Sequence, residues 1–168
     1  MASGTRQFQN IVKKLEKTVA ESIKKAALVD VGVFARDLIV KRTRLGYGVK
    51  KDLGSKKRLA KLSPNYVKRR KMFEGLSENT RPSRSNLTLT GQMLDSIIST
   101  AKTGIIEIKP TGRRDDGKRN ADIAQYNENG GKGRPKRIFM RISQLEFKQI
   151  VRFYRKTFGD LLRKSKVI

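Results

Sequence analysis

Phe8, Ile11, Leu15, Val19, Ile23 and Ala27 recur every three or four residues, and Lys13, Lys14, Lys17 and Lys24 occupy positions between them. A helical turn brings all six apolar side chains onto one stripe, so the spacing predicts an amphipathic helix of roughly five turns or more. Such a helix must lay its stripe against another element, which commits the chain to a layered fold containing helices. The pattern continues less regularly through Val31, Phe34, Ala35, Leu38 and Ile39. Gly32 either bends the helix or divides it in two, and the Gly46-Tyr47-Gly48 cluster ends it.

What the other face of that helix carries is charge, and the excess runs through the whole chain. Of 168 residues, 40 are Lys or Arg and 15 are Asp or Glu, a formal net charge of +25. The length favours a single domain over residues 1–168, with a lean core at 36% hydrophobic residues. Such a surplus repels itself in the compact state unless a polyanion or an acidic protein surface offsets it. Nucleic acid is therefore the first partner to consider and an acidic neighbouring subunit the second. A membrane surface fits less well, because no segment joins a basic face to Trp or Phe anchors and no apolar run approaches the ~20 residues of a bilayer span.

The absence of Cys excludes disulfides and thiolate metal sites, and the absence of His removes the commonest metal ligand and the usual general base. The stretch MASGTRQFQN is polar; no secretory signal is expected, and the chain is expected to be soluble and made in the cytoplasm.

Between Lys41 and Arg84 there are 15 Lys or Arg against three acids, Asp52, Glu74 and Glu78. Residues 41–86 read as an extended basic loop holding one short helix, with Ser63 as its N-cap and Pro64 at its first position. In LTLTGQMLDSI, Leu87 and Leu89 alternate with Thr88 and Thr90 like a strand. Thr90 is expected to cap a helix beginning at Gly91, with Met93, Leu94, Ile97 and Ile98 on one apolar face. Ser99 to Gly104 should turn the chain, and GIIEIKP reads as a strand ended by Pro110. TGRRDDGKRN is a charged hairpin or loop tip, and ADIAQYNENGG a short helix or half-turn ended by glycines. GRPKRIFMRI leads through Arg134-Pro135 into a strand-like run. Ser143 and Glu146 then form a capping box for a last helix. Leu145, Ile150, Val151, Tyr154, Phe158, Leu161 and Leu162 fall on one side of it. The order predicts an α+β fold, with a long N-terminal helix and a C-terminal helix packed on a small antiparallel sheet.

Catalytic constellations are absent from the sequence. Asp115 and Asp116 are adjacent but sit among Arg113, Arg114, Lys118 and Arg119, and neighbouring residues in a loop do not converge on one metal. Gly130-Gly131-Lys132-Gly133 lacks the spacing of a phosphate loop and reads as a turn. A Ser or Thr nucleophile would need a Lys base, and no spacing supplies one. The chain is expected to be non-enzymatic, with no metal, cofactor or small-molecule substrate.

The basic runs carry the functional signal. Lys50, Lys51, Lys56, Lys57, Arg58 and Lys61 form the first; Lys68, Arg69, Arg70 and Lys71 the second; Arg113, Arg114, Lys118 and Arg119 the third. Each can touch phosphates or an acidic partner without reading sequence, and no recognised base-reading motif accompanies them. Tyr47 and Tyr66 could stack on bases or anchor loops.

Three segments in order, LSPNYVKRRKMF, NLTLTGQMLDSI and AQYNENGGKGRPKRIFMRIS, resemble the head–tail joining and tail-completion proteins of tailed bacteriophages, also called virion-morphogenesis proteins. The resemblance rests on Leu87, Thr90, Gly91, Met93, Ser96 and Ile97. It continues with Tyr126, Asn127, Asn129 and Gly130, then Arg134, Pro135, Arg137 and Phe139. The family's turn usually carries His where this chain has Tyr126-Asn127, and the basic loop before Leu87 is long. The resemblance implies a structural virion protein of the neck, made in the host cytoplasm and assembled into a homo-oligomeric ring. Its implied partners are a portal-bound adaptor and the tail or nozzle proteins, with non-specific contact to packaged DNA and no membrane. The Thr90-Gly91 element would then be a structural hinge, Arg134-Pro135 would fix the entry to the next strand, and the basic arms would face partners. Composition alone also accommodates a small basic protein that binds nucleic acid without sequence preference.

Overall fold

The computed structural model describes residues 3–50, 54–74, 76, 80–102, 104–131 and 133–165, with side chains of the first helix described from Lys17 onward. Lys51 therefore lies outside the described residues, as do the side chains of Phe8, Ile11 and Leu15. Helix α1 runs unbroken from Ser3 to Arg44. Among its described side chains burial starts at Ala27 and follows Val31, Ala35 and Ile39 at a spacing of four, while Val19, on the same predicted stripe, stays exposed. Gly32 does not divide the helix. It sits against the sheet, where a Cβ would lie 3.1 Å from Ile106 and 3.2 Å from Ser99, so the missing side chain lets helix and sheet approach closely.

Gly46, at φ 81°, ends α1, and strand β1 (Tyr47–Val49) pairs antiparallel with β2 (Lys56–Arg58). Gly48 is fixed by space: a Cβ there would lie 2.1 Å from the Ile138 carbonyl oxygen. Helix α2 (Pro64–Lys71) begins as predicted, with the Ser63 hydroxyl accepting from Tyr66 N–H at 3.3 Å. Residues 41–86 thus hold the end of α1, a β-hairpin and α2, which is more regular structure than the expected loop.

The Leu87–Ile98 stretch differs most from expectation. Leu87 has φ 55°, which breaks the strand that the alternation predicts, and Thr88 is fully buried with its carbonyl accepting from the Thr80 hydroxyl. Thr90 does not cap the next helix. Gly91 itself holds the N-cap position at φ 78°, with no side-chain cap bond. Helix α3 (Gln92–Asp95) is one turn, and Ile97 already begins strand β3 (Ile97–Lys102). The β-branched Ile97, Ile98 and Thr100 favour extended backbone, so Ile97 enters the core while Ile98 points to the opposite face, 39% exposed. Ser99 to Lys102 belong to β3, not to a turn. β3 pairs antiparallel with β4 (Ile105–Pro110) in the register Ile97 to Pro110 through Lys102 to Ile105.

Helix α4 (Asn120–Asn129) follows a charged hairpin closed by an Arg113–Arg119 bridge. The Arg134–Phe139 run is extended but joins neither sheet. Its donors go elsewhere: Arg137 N–H to the Asn127 carbonyl at 2.7 Å, and Phe139 and Met140 N–H to the Glu128 carboxylate at 2.7 and 2.6 Å. Helix α5 (Gln144–Lys164) opens on the predicted capping box. Leu145, predicted on its inner side, is exposed, and Phe153 instead stacks on Phe34 of α1, ring centroids 4.4 Å apart. The architecture is α+β: long α1 and α5 packed together, β3–β4 laid on α1, and a core of Leu59, Met93, Leu94, Ile97, Ala124 and Phe139 beneath α3 and α4. No described helix is long and apolar enough to cross a membrane.

Candidate functional site

The basic runs separate into exposed arms and buried supports. On the β1–β2 hairpin, Lys50, Lys56, Lys57 and Arg58 are all exposed, with the Arg58 guanidinium 5.6 Å from the centre of the Tyr47 ring. Tyr47 therefore supports a cation. Lys68, Arg69 and Lys71 are exposed on the last turn of α2, and Lys61 just before it. At the 113–119 hairpin, Arg113, Lys118 and Arg119 are exposed. Asp116 takes Lys118 at 3.3 Å and faces Arg114 at 3.7 Å, and Asp115 accepts from Gln92.

Arg70 departs from its neighbours. It is 3% exposed and donates to the Arg84 carbonyl at 2.9 Å and to Asn86 Oδ1 at 3.4 Å. A helix that buries one face must turn one residue of four consecutive cations inward, and here the polar segment at 84–86 receives it. Arg70 is thus a structural residue of the fold, not an exposed contact. Burial pushes its pKa below the ordinary value.

Around Arg70 the chain forms a cleft of about 690 Å³. One wall is Leu62, Ser63 and Tyr66 at the start of α2; a second is the Leu87–Gly91 turn with Met93; the third is Ile123, Asn127 and the Gly133–Arg137 segment. Lys61, Arg70, Arg114, Arg134 and Arg137 line it, and no carboxylate does among the described residues. Arg137 is held by Nε donating to Ser85 Oγ at 3.0 Å, and desolvation lowers its pKa. A second recess of about 570 Å³ between α1 and residues 81–84 is lined by Lys41, Arg44, Arg81 and Arg84, with Asp37 the acid. The cleft brings together parts of all three segments that carry the phage resemblance: Leu62 to Arg70, Leu87 to Met93, and Asn127 to Arg137.

One buried ion pair has no signal in the sequence. Arg42 and Glu146, 3% and 1% exposed, form a salt bridge 104 positions apart, and Arg42 also donates to the Phe139 and Arg141 carbonyls. Burial pushes the Arg42 pKa down and the charge and hydrogen bond of Glu146 oppose it. The same Glu146 carboxylate accepts from Ser143 N–H and from the Ser143 hydroxyl. The capping box is visible in sequence; its second role, tying α1 to the segment before α5, depends on distant chain and is not.

Among the described residues no group of three or more His, Cys, Asp or Glu side chains could hold a metal ion. The polar groups that line the cleft offer charge and hydrogen bonds to an anion. No family model, curated protein or solved structure matches this chain.

Proposed function

We propose that the chain is a structural, non-catalytic component of a tailed-phage virion that assembles head to tail into a closed ring at the head–tail junction. In that setting it connects a portal-bound adaptor to tail or nozzle proteins. The observation that supports this reading most is the convergence of the three resembling segments. They are separated by up to tens of residues in sequence, yet line one cleft, and the second and third share the Met93, Leu94 and Phe139 core. Identical subunits close into a ring when the rotation between neighbours closes. The hairpins at 47–58 and 113–119 place cations outside the body, where they meet acidic neighbours or the phosphates of passing DNA. Sequence-independent contact suits a conduit, because base-specific binding would hold the DNA in place.

The exposed run Lys56–Arg58 and the exposed Lys68, Arg69 and Lys71 also favour a second reading, a dedicated sequence-independent nucleic-acid binder. Native mass spectrometry of the purified chain with and without duplex DNA separates the two. The neck reading expects a closed homo-oligomer, either alone or with a neighbouring virion protein, and weak DNA binding that disappears at physiological salt. A chain that stays monomeric or dimeric and holds DNA tightly at that salt refutes it in favour of the binder.

A further inference from the structure

We propose that the cleft among α2, the Leu87–Gly91 turn and the Gly133–Arg137 segment is a binding site for a short extended peptide bearing both carboxylates and aliphatic side chains, presented by a different, acidic protein. The inference stands apart from the neck reading, since the chemistry of the cleft is the same wherever the chain assembles. The hairpins are convex and wholly polar in their cations; the cleft is concave, and its volume of about 690 Å³ lies in the range of pockets that enclose a compact ligand. Its walls offer two kinds of surface. Leu62, Leu87, Leu89, Met93, Ile123 and Pro135 supply aliphatic area, and five cations stand among them.

Arg70 and Arg137 are the reason to expect an anion. This fold pairs the guanidinium of Arg42, a residue as buried as Arg70, with Glu146. Among the described residues Arg70 and Arg137 have only neutral acceptors, the Arg84 carbonyl and Asn86 for one and Ser85 for the other. The Nε of Arg70, like that of Arg42, is buried without a hydrogen-bond partner among the described residues, and Arg70 lacks there the carboxylate that Arg42 has. Cations set in place by the fold, poorly hydrated and without a carboxylate, gain most from one that arrives. Because Ser85, Arg84 and Asn86 already hold the forks, little side-chain freedom is given up on binding.

Aliphatic walls select the class of anion. A sugar–phosphate backbone gains nothing from six aliphatic side chains, and Tyr66 is the one aromatic ring lining the cleft among the described residues, so successive bases find no stacking platform. A peptide whose alternate side chains point opposite ways offers acids to the arginines and aliphatic groups to the leucines. This sequence does not supply the occupant itself. Its only adjacent carboxylates are Asp115-Asp116, flanked by Arg113, Arg114 and Lys118, so a second copy is a poor match in charge.

The test is fluorescence anisotropy of the purified full chain with a labelled, end-capped peptide of alternating Leu and Glu at physiological salt. Lys61→Glu with Arg134→Glu reverses two exposed cations of the cleft that hold no part of the fold. Lys56→Glu with Lys57→Glu makes the same change in net charge on the β1–β2 hairpin. The cleft pair is expected to weaken binding by roughly tenfold or more and the hairpin pair by less than about threefold. A Ser/Glu peptide is expected to bind at least about tenfold more weakly than the Leu/Glu peptide. Circular dichroism melts confirm that both variants are folded. Equal weakening by the two pairs, equal binding of the Ser/Glu peptide, or displacement of the Leu/Glu peptide by an equimolar oligothymidylate each overturns the proposal. None of these outcomes bears on ring formation, which is read in the absence of peptide.

Discussion

Arg42 and Glu146 show how much of this fold hangs on single side chains. Two charges taken out of water are tolerated because the guanidinium meets one carboxylate and two carbonyls, and the carboxylate also meets Ser143. Removing one partner strands the other. Arg42→Met is expected to cost about 3–5 kcal/mol in urea unfolding, and Arg42→Met combined with Glu146→Leu to recover part of that loss. A single variant within about 0.5 kcal/mol of the parent would mean that the pair is solvated. Leu94 and Ile98 give the apolar counterpart. Local spacing puts both on one helical face, yet Leu94 is 1% exposed and Ile98 is 39% exposed on the outer face of β3. Leu94→Ala should cost about 2–5 kcal/mol and Ile98→Ala no more than about 0.5 kcal/mol. Equal losses would restore the helical reading of this stretch.

Helices are legible where one local rule governs them. The period of α1, the Ser63-Pro64 start of α2 and the Ser143–Glu146 box of α5 each need only a few neighbouring residues, and each is present. Local pattern misleads where tertiary pairing outvotes it. Leu87–Thr90 alternates like a strand, but it joins neither sheet, and Leu87 takes a positive φ so that Thr88 can be buried against Thr80. Arg134–Phe139 has strand composition, but its N–H groups are taken by Asn127 and Glu128. The site is legible in part: the exposed arms follow from charge runs, whereas the inward turn of Arg70 and the assembly of the cleft need the whole fold. The two caps give a direct comparison. Ser143→Ala removes a cap acceptor and is expected to cost about 1 kcal/mol. Thr90→Ala removes none and should change stability by less than about 0.5 kcal/mol. Thermal melts measure both, and a Thr90 loss equal to that of Ser143 would reinstate Thr90 as a cap.

For the whole molecule, the net charge of +25 repels itself in the compact state, a cost that an external anion would offset. The cations divide between convex hairpins suited to a polyanion and a concave cleft with aliphatic walls. If the β1–β2 hairpin meets phosphates, replacing Lys50, Lys56, Lys57 and Arg58 by Gln should reduce the slope of log affinity for duplex DNA against log salt. The reduction expected is ~0.9 for each phosphate that the variant no longer neutralises. An unchanged slope would assign DNA binding to α2 or to the 113–119 hairpin. The neck assignment is a statement about place, and cryo-electron microscopy of intact virus particles whose genome encodes this chain tests it without intermediaries. A closed ring of this polypeptide is expected between portal and tail, with the β1–β2 hairpins directed at the channel or at an acidic neighbour. A junction fully built from other proteins, with this chain absent, would contradict it.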